Sequence, residues 1–247
     1  MQPWHEQDAF WQTVGPTMFS QRRRTDAPAE VEGILRMLGI EPGVPLLDLC
    51  CGVGRHSLEF ARRGFRVTGV DRTRAYLEQA SRQAAAEGLP VEFVEEDMRA
   101  FVRPGAFAAA VNLFTSFGFF EDPDEDRRVV ANVYQSLQPG GAFLIDVGGK
   151  EVLARVWQER DWHEEDDILI LQERKVSQAW GWMENRWILV QDGRRTEFTV
   201  SHRLYAATEL AALLRACGFS HVEVYGSLDG SAYDQTARRL VVVGRKP

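Results

Sequence analysis

Apolar positions along the chain change spacing several times, and each change marks an element. In residues 29–38, Val31, Ile34, Leu35 and Leu38 recur every three or four positions, which predicts a helix closed by Gly39 and Pro42. Short apolar runs then alternate with helical patterns. Residues 45–49 (PLLDL) predict a buried strand, followed by a glycine-containing turn and a helix over 56–63 that Gly64 stops. A second strand over 65–70 ends at Asp71, a helix over 74–87 is stopped by Gly88, and strands follow over 91–94 and 106–112. A helix over 124–137 ends at Pro139-Gly140-Gly141 and leads into a fifth strand over 142–147. Strands alternating with helices predict parallel pairing through crossovers. The runs LLDL, FRVTGV, FAAAV and AFLIDV are as apolar as strands covered on both faces need to be.

After Val147 the rhythm changes. One short helix fits 151–157. Strand patterns then cover 168–176, 182–191 and 195–204, the last two joined by Asp192-Gly193, a strong hairpin signal. This predicts a small antiparallel sheet inserted into an α/β domain. A helix capped by Thr208 runs to 216 and is stopped by Gly218. Strands over 221–225 and 240–243 close the chain, and the 14 residues between them are too few for a helical crossover, so they should pair antiparallel. The organisation expected is a lead-in segment over 1–28, an α/β domain built from 29–150 and 206–247, and an inserted β subdomain over 151–205.

Composition narrows the function classes. With 45% apolar and 26% charged residues, the chain reads as an ordinary soluble domain. A net charge of -7 argues against a general nucleic-acid binder, which needs a basic face. Three cysteines, two of them adjacent, make no disulfide framework and point to a reducing compartment. No basic stretch followed by an apolar run opens the chain, and no apolar run nears the ~20 residues of a membrane span. A cytoplasmic protein without membrane partners is expected. No cysteine pair or histidine cluster completes a zinc site, so no metal is expected.

The richest stretch for chemistry is Leu46-Leu47-Asp48-Leu49-Cys50-Cys51-Gly52-Val53-Gly54-Arg55-His56, a strand running into a tight turn and a helix. Ligands of open parallel sheets bind at the carboxyl ends of strands. Asp71, ending the next strand, suits hydrogen bonds to ribose hydroxyls; its bland alternative is a turn cap. A dinucleotide fingerprint needs a third glycine where Ser57 stands. The register Asp48-x-Cys50-x-Gly52-x-Gly54 instead resembles the first motif of the class I S-adenosylmethionine (SAM) methyltransferases, an acid followed by three alternate glycines, with Cys50 in place of the first. The order of later segments extends the resemblance. Val70-Asp71 ends the second strand, 91–98 (VEFVEEDM) is similar to the third strand and its acid, 107–114 (FAAAVNLF) to the fourth-strand motif, and 137–143 (LQPGGAF) to the turn before the fifth strand. The likeness covers 29–147 well and 208–245 loosely.

The resemblance implies a Rossmann-like α/β fold, with a mostly parallel sheet, an antiparallel last strand and a small inserted antiparallel β-sheet. SAM would be the cofactor. Asp48, Cys50, Gly52 and Gly54 would form its turn, Asp71 would meet the ribose, Arg72 beside it would also touch the cofactor, and Asp97 and the Met98 backbone would meet the adenine. Asn112 would lie beside the methyl donor. Residues 1–28 would act as a lid, with Arg24 closing on the cofactor carboxylate. Asp97 also reads as a helix cap and Asn112 as a turn residue.

The methyl group of SAM arrives activated, so alignment and water exclusion are the protein's main tasks, and a base is needed only for a protonated acceptor. On the last inserted strand Phe198, Val200, His202 and Leu204 share one face, and Arg203 and Tyr205 the other. His202 is a candidate base and Tyr205 a candidate hydrogen-bond partner of the acceptor; both also read as structural. Trp157, Trp162, Trp180, Trp182 and Trp187 could wall an acceptor site or fill the core of a thin sheet. Enzymes that methylate exocyclic amines of bases carry [DNS]-P-P-[YFW] after the fourth strand. Asn112-Leu113-Phe114-Thr115 departs from it, so a small-molecule N or O acceptor is expected, with no nucleic-acid partner. Two other readings stay open: a non-catalytic SAM-binding sensor or regulatory protein, and a nicotinamide dehydrogenase. A transferase needs an acceptor cleft beside the cofactor, whereas a sensor could be closed there.

Overall fold

The computed structural model describes residues 2–247. Its main layer is a seven-stranded sheet of β1 (Pro45–Leu49), β2 (Arg66–Asp71), β3 (Val91–Glu95), β4 (Phe107–Asn112), β5 (Leu137–Val147), β10 (His221–Tyr225) and β11 (Leu240–Arg245). The strand order is β10-β11-β5-β4-β1-β2-β3. The first five pair in parallel with their neighbours, while β11 runs antiparallel to both β5 and β10, as the short final connection predicts. Alternation along the central strands separates two cores. Leu47, Leu49, Ala110, Phe143 and Ile145 face α5 (Pro123–Ser136) and α7 (Ala207–Ala216), whereas Leu46, Ala109, Val111 and Leu144 face α2 (Gln21–Leu38) and α3 (Arg55–Arg62). Helix α4 (Arg74–Glu87) spans the interval predicted for it.

Four boundaries depart from the sequence reading, each for a physical reason. Helix α2 starts at Gln21 rather than 29. Its first half, QRRRTDAPAE, is mostly exposed and so carries no apolar stripe. It is held by polar contacts: Arg55 Nη1 donates to the Arg23 carbonyl (2.5 Å) and Arg63 Nη2 to the Pro28 carbonyl (2.7 Å). Strand β5 starts at Leu137, which pairs with Phe107 across an irregularity in register, so Pro139-Gly140-Gly141 lies within the strand. Helix α7 starts after Ala206, whose N–H donates to Glu209 Oε2 (2.8 Å), and Thr208 is already inside it.

The fourth departure concerns the inserted sheet. It has four strands instead of three: β6 (Arg160–Glu165), β7 (Ile168–Ser177), β8 (Trp182–Gln191) and β9 (Arg194–Arg203), in that order. Edge strand β6 reads RDWHEE, without apolar alternation, and turns into β7 through Asp166 and Asp167, both at positive φ. Ahead of α2, a 3-10 turn (Trp4–Glu6) and α1 (Asp8–Met18) lie against this sheet, where Phe10 and Val14 share a third core with Ile168, Ile170, Leu189 and Val200. A short α6 (Lys150–Arg155) leads from β5 towards the inserted sheet.

Candidate active site

The turn after β1 brings the first predicted residues together. Cys50 (φ 63°) and Gly52 (φ 56°) both occupy the left-handed region. A side chain at Gly52 would in addition come within 2.7 Å of the Phe19 ring. Cys50 thus holds the conformation that a glycine takes more cheaply, at a cost of roughly 1–2 kcal/mol. Gly54 caps α3 and does not reach the central cavity. Asp48 is buried and accepts from Ser57 Oγ (2.5 Å), tying strand to helix. Asp71 accepts from the N–H groups of Gly52 (2.9 Å) and Thr73 (2.8 Å), which orients its carboxylate at the carboxyl end of β2. Burial raises the pKa of both acids against these hydrogen bonds. It raises the Cys50 and Cys51 thiols far more, so both stay protonated and serve as packing groups. Cys50 Sγ lies 3.6 Å from the sulfur of Met98.

Beyond β3, Asp97 accepts from the Arg99 backbone N–H (2.8 Å) and from the Arg99 guanidinium (2.6 and 2.9 Å). Burial acts to raise this carboxyl, but the Arg99 hydrogen bonds and charge outweigh it and hold the pKa below the usual value. The same guanidinium reaches Glu6 (2.9 Å) and lies over the Phe120 ring (4.6 Å). Arg72 donates to the carbonyls of His5 (3.1 Å) and Glu6 (3.0 Å), so its guanidinium fastens the N-terminal segment. Arg24 does not line the cavity; its Nε donates to the Phe19 carbonyl (3.2 Å). Successive helical residues point about 100° apart, and it is Arg23 that faces inward. Asn112 is also absent from the lining. It is fully buried, and its amide donates to the carbonyls of Leu49 and Ser116 (3.2 Å each), joining β1 to the loop after β4.

That loop was missed as a feature of the site. Phe114 and Thr115 both have positive φ (56° and 62°) and both line the cavity. Buried Asp146 holds them: its Oδ2 accepts from the Phe114 N–H (3.0 Å), and Arg239 bridges Asp146 (2.7 Å) and the Thr115 hydroxyl (3.2 Å). Strained backbone persists where surrounding contacts fix it in this way. The signal lay 32 and 124 residues away in sequence, beyond the reach of local patterning.

The inserted sheet turns Met183, Asn185, Trp187, Val200 and His202 towards the same cavity. Of the two faces of β9 it is therefore the His202 face that points inward. Burial alone lowers the His202 pKa to about 4, so the ring is neutral at pH 7. Tyr205 faces the other way: its hydroxyl donates to buried Asp126 (2.7 Å), beneath Phe117, and it does not line the cavity. Among the five tryptophans singled out from the sequence, only Trp187 lines it. Trp157 and Trp180 pack on each other, and Trp162 is 67% exposed. The aromatic wall comes instead from the N-terminal segment. Trp4 contacts Phe10, Trp11 and Phe119 with ring centroids 4.9–5.6 Å apart, and its Nε1 donates to the Ser201 carbonyl (2.8 Å).

Together these groups enclose one continuous cavity of about 530 Å³, running from Asp71 and Asp97 to His202 and Asn185. Asp71 at the end of β2, Asp97 just beyond β3, the left-handed turn after β1 and apolar Val70, Met98 and Phe120 form a set of groups that suits a nucleoside. Residues 46–141 match the family described as a methyltransferase domain. A putative methyltransferase of Bacillus subtilis, YqeM, is 26% identical over 217 residues, covering 84% of this chain and 87% of the relative. The chain carries a methyltransferase domain of the SAM-dependent kind. SAM is accordingly the cofactor of this methyltransferase. Solved structures share its fold over nearly the whole length. A SAM-dependent methyltransferase from Clostridium acetobutylicum aligns with TM-score 0.79 at 15% identity, covering 97% of this chain and 98% of that one. The SAM-bound amino pentose methyltransferase CalS10 from Micromonospora echinaspora aligns with TM-score 0.66 at 22% identity, covering 96% of each. Among the described residues no helix is long and apolar enough to cross a membrane, and no group of three or more His, Cys, Asp or Glu could hold a metal ion.

Proposed function

We propose that this methyltransferase acts on a small-molecule nitrogen or oxygen acceptor held between the α/β domain and the inserted sheet. The observation that carries the reading is the cavity itself, which continues past the glycine turn to the inner face of β8 and β9. A protein that only sensed the cofactor would need no such extension. In this reading Asp71 accepts from the ribose hydroxyls, with the Gly52 and Thr73 N–H groups holding its orientation. Asp97 and the Met98 backbone meet the adenine edge, and Arg23 lies on the side where a carboxylate would be met. The lead-in segment over 1–28 serves as the lid, fastened by Arg72 and Arg99, and 151–205 is the acceptor subdomain.

When bound, SAM supplies a sulfonium-activated methyl group, which the acceptor lone pair takes while the sulfur keeps the electron pair of the broken bond. The chain's own contribution is position and dryness. Phe114, Phe119, Trp4 and Trp11 exclude water, and proximity in such a site supplies several kcal/mol, on the order of 7–11 in the best cases. Neutral His202 is the group placed to take a proton from the acceptor. That the amino pentose enzyme CalS10 shares this fold supports a small acceptor, as does the net charge of -7.

The test uses methyl-labelled SAM with two separate substrates, the low-molecular-weight metabolites and the total RNA of a cell extract. Label in the small-molecule fraction is expected. Label confined to RNA would overturn the reading of the acceptor.

A further inference from the structure

Strand β7 changes character where helix α1 stops covering it. Its inward positions read Ile168, Ile170, Gln172 and Arg174, spaced by two. Ile168 and Ile170 pack beneath Phe10 and Val14 of α1 in the third core. Gln172 and Arg174 line the cavity instead. Leu169 and Leu171 stand on the outer face of the same strand, with Glu173 and Lys175. Stability alone would turn the arginine outward and a leucine inward, because a long charged side chain is rarely buried. The Arg174 side chain is nevertheless only 14% exposed. Structural partners account for one of its nitrogens. Nη1 donates to the Gln158 carbonyl (3.2 Å) and lies 3.0 Å from Asp161 Oδ2 on edge strand β6. Nε and Nη2 have no hydrogen-bond partner among the described residues, and neither is sealed from solvent, whereas Asp161 Oδ1 and Asn185 Oδ1 are.

Nε and Nη2 form one edge of the guanidinium, with two parallel N–H groups that match a carboxylate. The chain uses this same edge elsewhere: Arg62 holds Glu87 with it (2.7 and 2.8 Å), and Arg239 holds Asp146 (2.7 and 3.0 Å). On Arg174 the edge is open. The charges in the cavity wall are divided to suit. Among the described residues its four carboxylates, Asp48, Asp71, Glu96 and Asp97, lie in or just after β1, β2 and β3. The inserted sheet contributes none, and Arg174 is the charged group of that wall. Arg174 pairs with Asn185 and Asn185 with Val200, while Met183 pairs with His202. At ~4.8 Å per strand and ~3.4 Å per residue, the Cα atoms of Arg174 and His202 are about 12 Å apart, which leaves room for an anion on one and a reacting atom beside the other. From the open edge, its inward placement and the lack of a carboxylate on that wall, we infer that the acceptor carries a carboxylate, held by Arg174 Nε and Nη2, and is methylated at another atom. The inference rests on the small-molecule methyl-transfer reading and adds the substrate class, an acidic metabolite, with Arg174 as the specificity-determining residue.

The experiment incubates the protein and the low-molecular-weight metabolites of a cell extract with ordinary and with trideuteromethyl SAM, and finds the methylated product by its mass pair. Treatment with acidic ethanol then esterifies carboxylic acids and leaves phosphates, amines and phenols. The product is expected to gain an ethyl ester and keep its labelled methyl group. With the unmethylated compound as substrate, Arg174→Gln should raise KM about tenfold or more, because a charged hydrogen-bonding partner is lost. Its affinity for S-adenosylhomocysteine should stay within about twofold of the wild type, as should the KM of Asp161→Asn, which breaks the ion pair and keeps the guanidinium. The product analysis stands by itself if Arg174→Gln fails to fold. A product without a free carboxyl, or a KM indifferent to Arg174→Gln, would overturn the inference and leave small-molecule methyl transfer intact. Absence of any labelled small molecule would overturn the reading on which the inference rests, and the inference with it.

Discussion

Cys50 occupies a left-handed backbone position on β-carbon-bearing chemistry, and its neighbour Asp71 owes its orientation to the N–H of Gly52 in the same turn. Asp71→Ala should weaken SAM binding by about 1–3 kcal/mol, since the ribose loses an acceptor and two backbone donors lose their partner; calorimetric titration that gave wild-type affinity would remove Asp71 from the site. His202 and Tyr205 separate cleanly. Tyr205→Phe should lower stability by about 1–3 kcal/mol, because Asp126 loses its hydroxyl donor, yet leave acceptor KM unchanged. His202→Gln should lower kcat and spare SAM affinity, and an unaltered kcat on an identified acceptor would make its role structural. His202 and Asp126, the partner of Tyr205, also mark the pH profile, with opposite signs. His202 titrates near 6.5 unfolded and about 4 folded, so the unfolded chain binds the extra proton and stability falls as pH drops from 6.5 to 4, by up to about 1.4 kcal/mol per unit. Asp126 is pushed up to about 6 by burial, despite Tyr205 and Arg203 nearby, so its folded form takes the proton first and stability from it is lost as pH rises through 6. Denaturant melts of His202→Gln between pH 4 and 6.5 should therefore lose the acid-side decline. That Asp48, Asp71 and Asp97 line one cavity was legible because each lies in, ends or follows a strand with a fixed motif spacing. The exchange of Arg24 for Arg23 was not, because it depends on where α2 begins.

Helix α1 and the 3-10 turn before it close one side of the cavity, and their hold is partly apolar and partly polar. Phe10 is buried against Trp4, Trp11 and Phe198, with ring centroids 4.9–5.2 Å apart. Arg72 and Arg99 fasten the same segment through His5 and Glu6. Phe10→Ala should cost the segment about 3–5 kcal/mol of packing and make Arg23 and Arg24 more susceptible to trypsin. Cleavage at the wild-type rate would show that the arginine contacts suffice. Neither this docking nor strand β6 was legible in the sequence. Both depend on partners distant in the chain, and RDWHEE has the pattern of an exposed loop as much as of an edge strand. The strands of the main sheet were legible because burial on both faces leaves continuous apolar runs. The first half of α2 was not, since a helix exposed on most sides lacks a stripe.

The whole molecule joins three apolar cores around one cavity, two against the main sheet and one beneath the inserted sheet. A ligand that fills the cavity binds the folded form alone. S-adenosylhomocysteine at 100 times its Kd should stabilise the protein by about 2.7 kcal/mol and raise Tm by roughly 5–11 °C, whereas NAD should not shift it; a reversed pattern in thermal melts would contradict the cofactor assignment. At this scale the sequence by itself determined the alternation of strands and helices, the glycine turn after β1 and the order of the motifs around it, because these follow from local periodicity and short spacings. Tertiary structure decided which side chains reach the cavity. Asn112 and Tyr205 were drawn into buried hydrogen bonds away from it, while Trp4, Trp11, Arg23 and the Asp146–Arg239 pair were brought to its wall. Those outcomes depend on the phase of a helix, the face of a strand and contacts across up to 197 residues of chain, none of which is encoded in a local pattern.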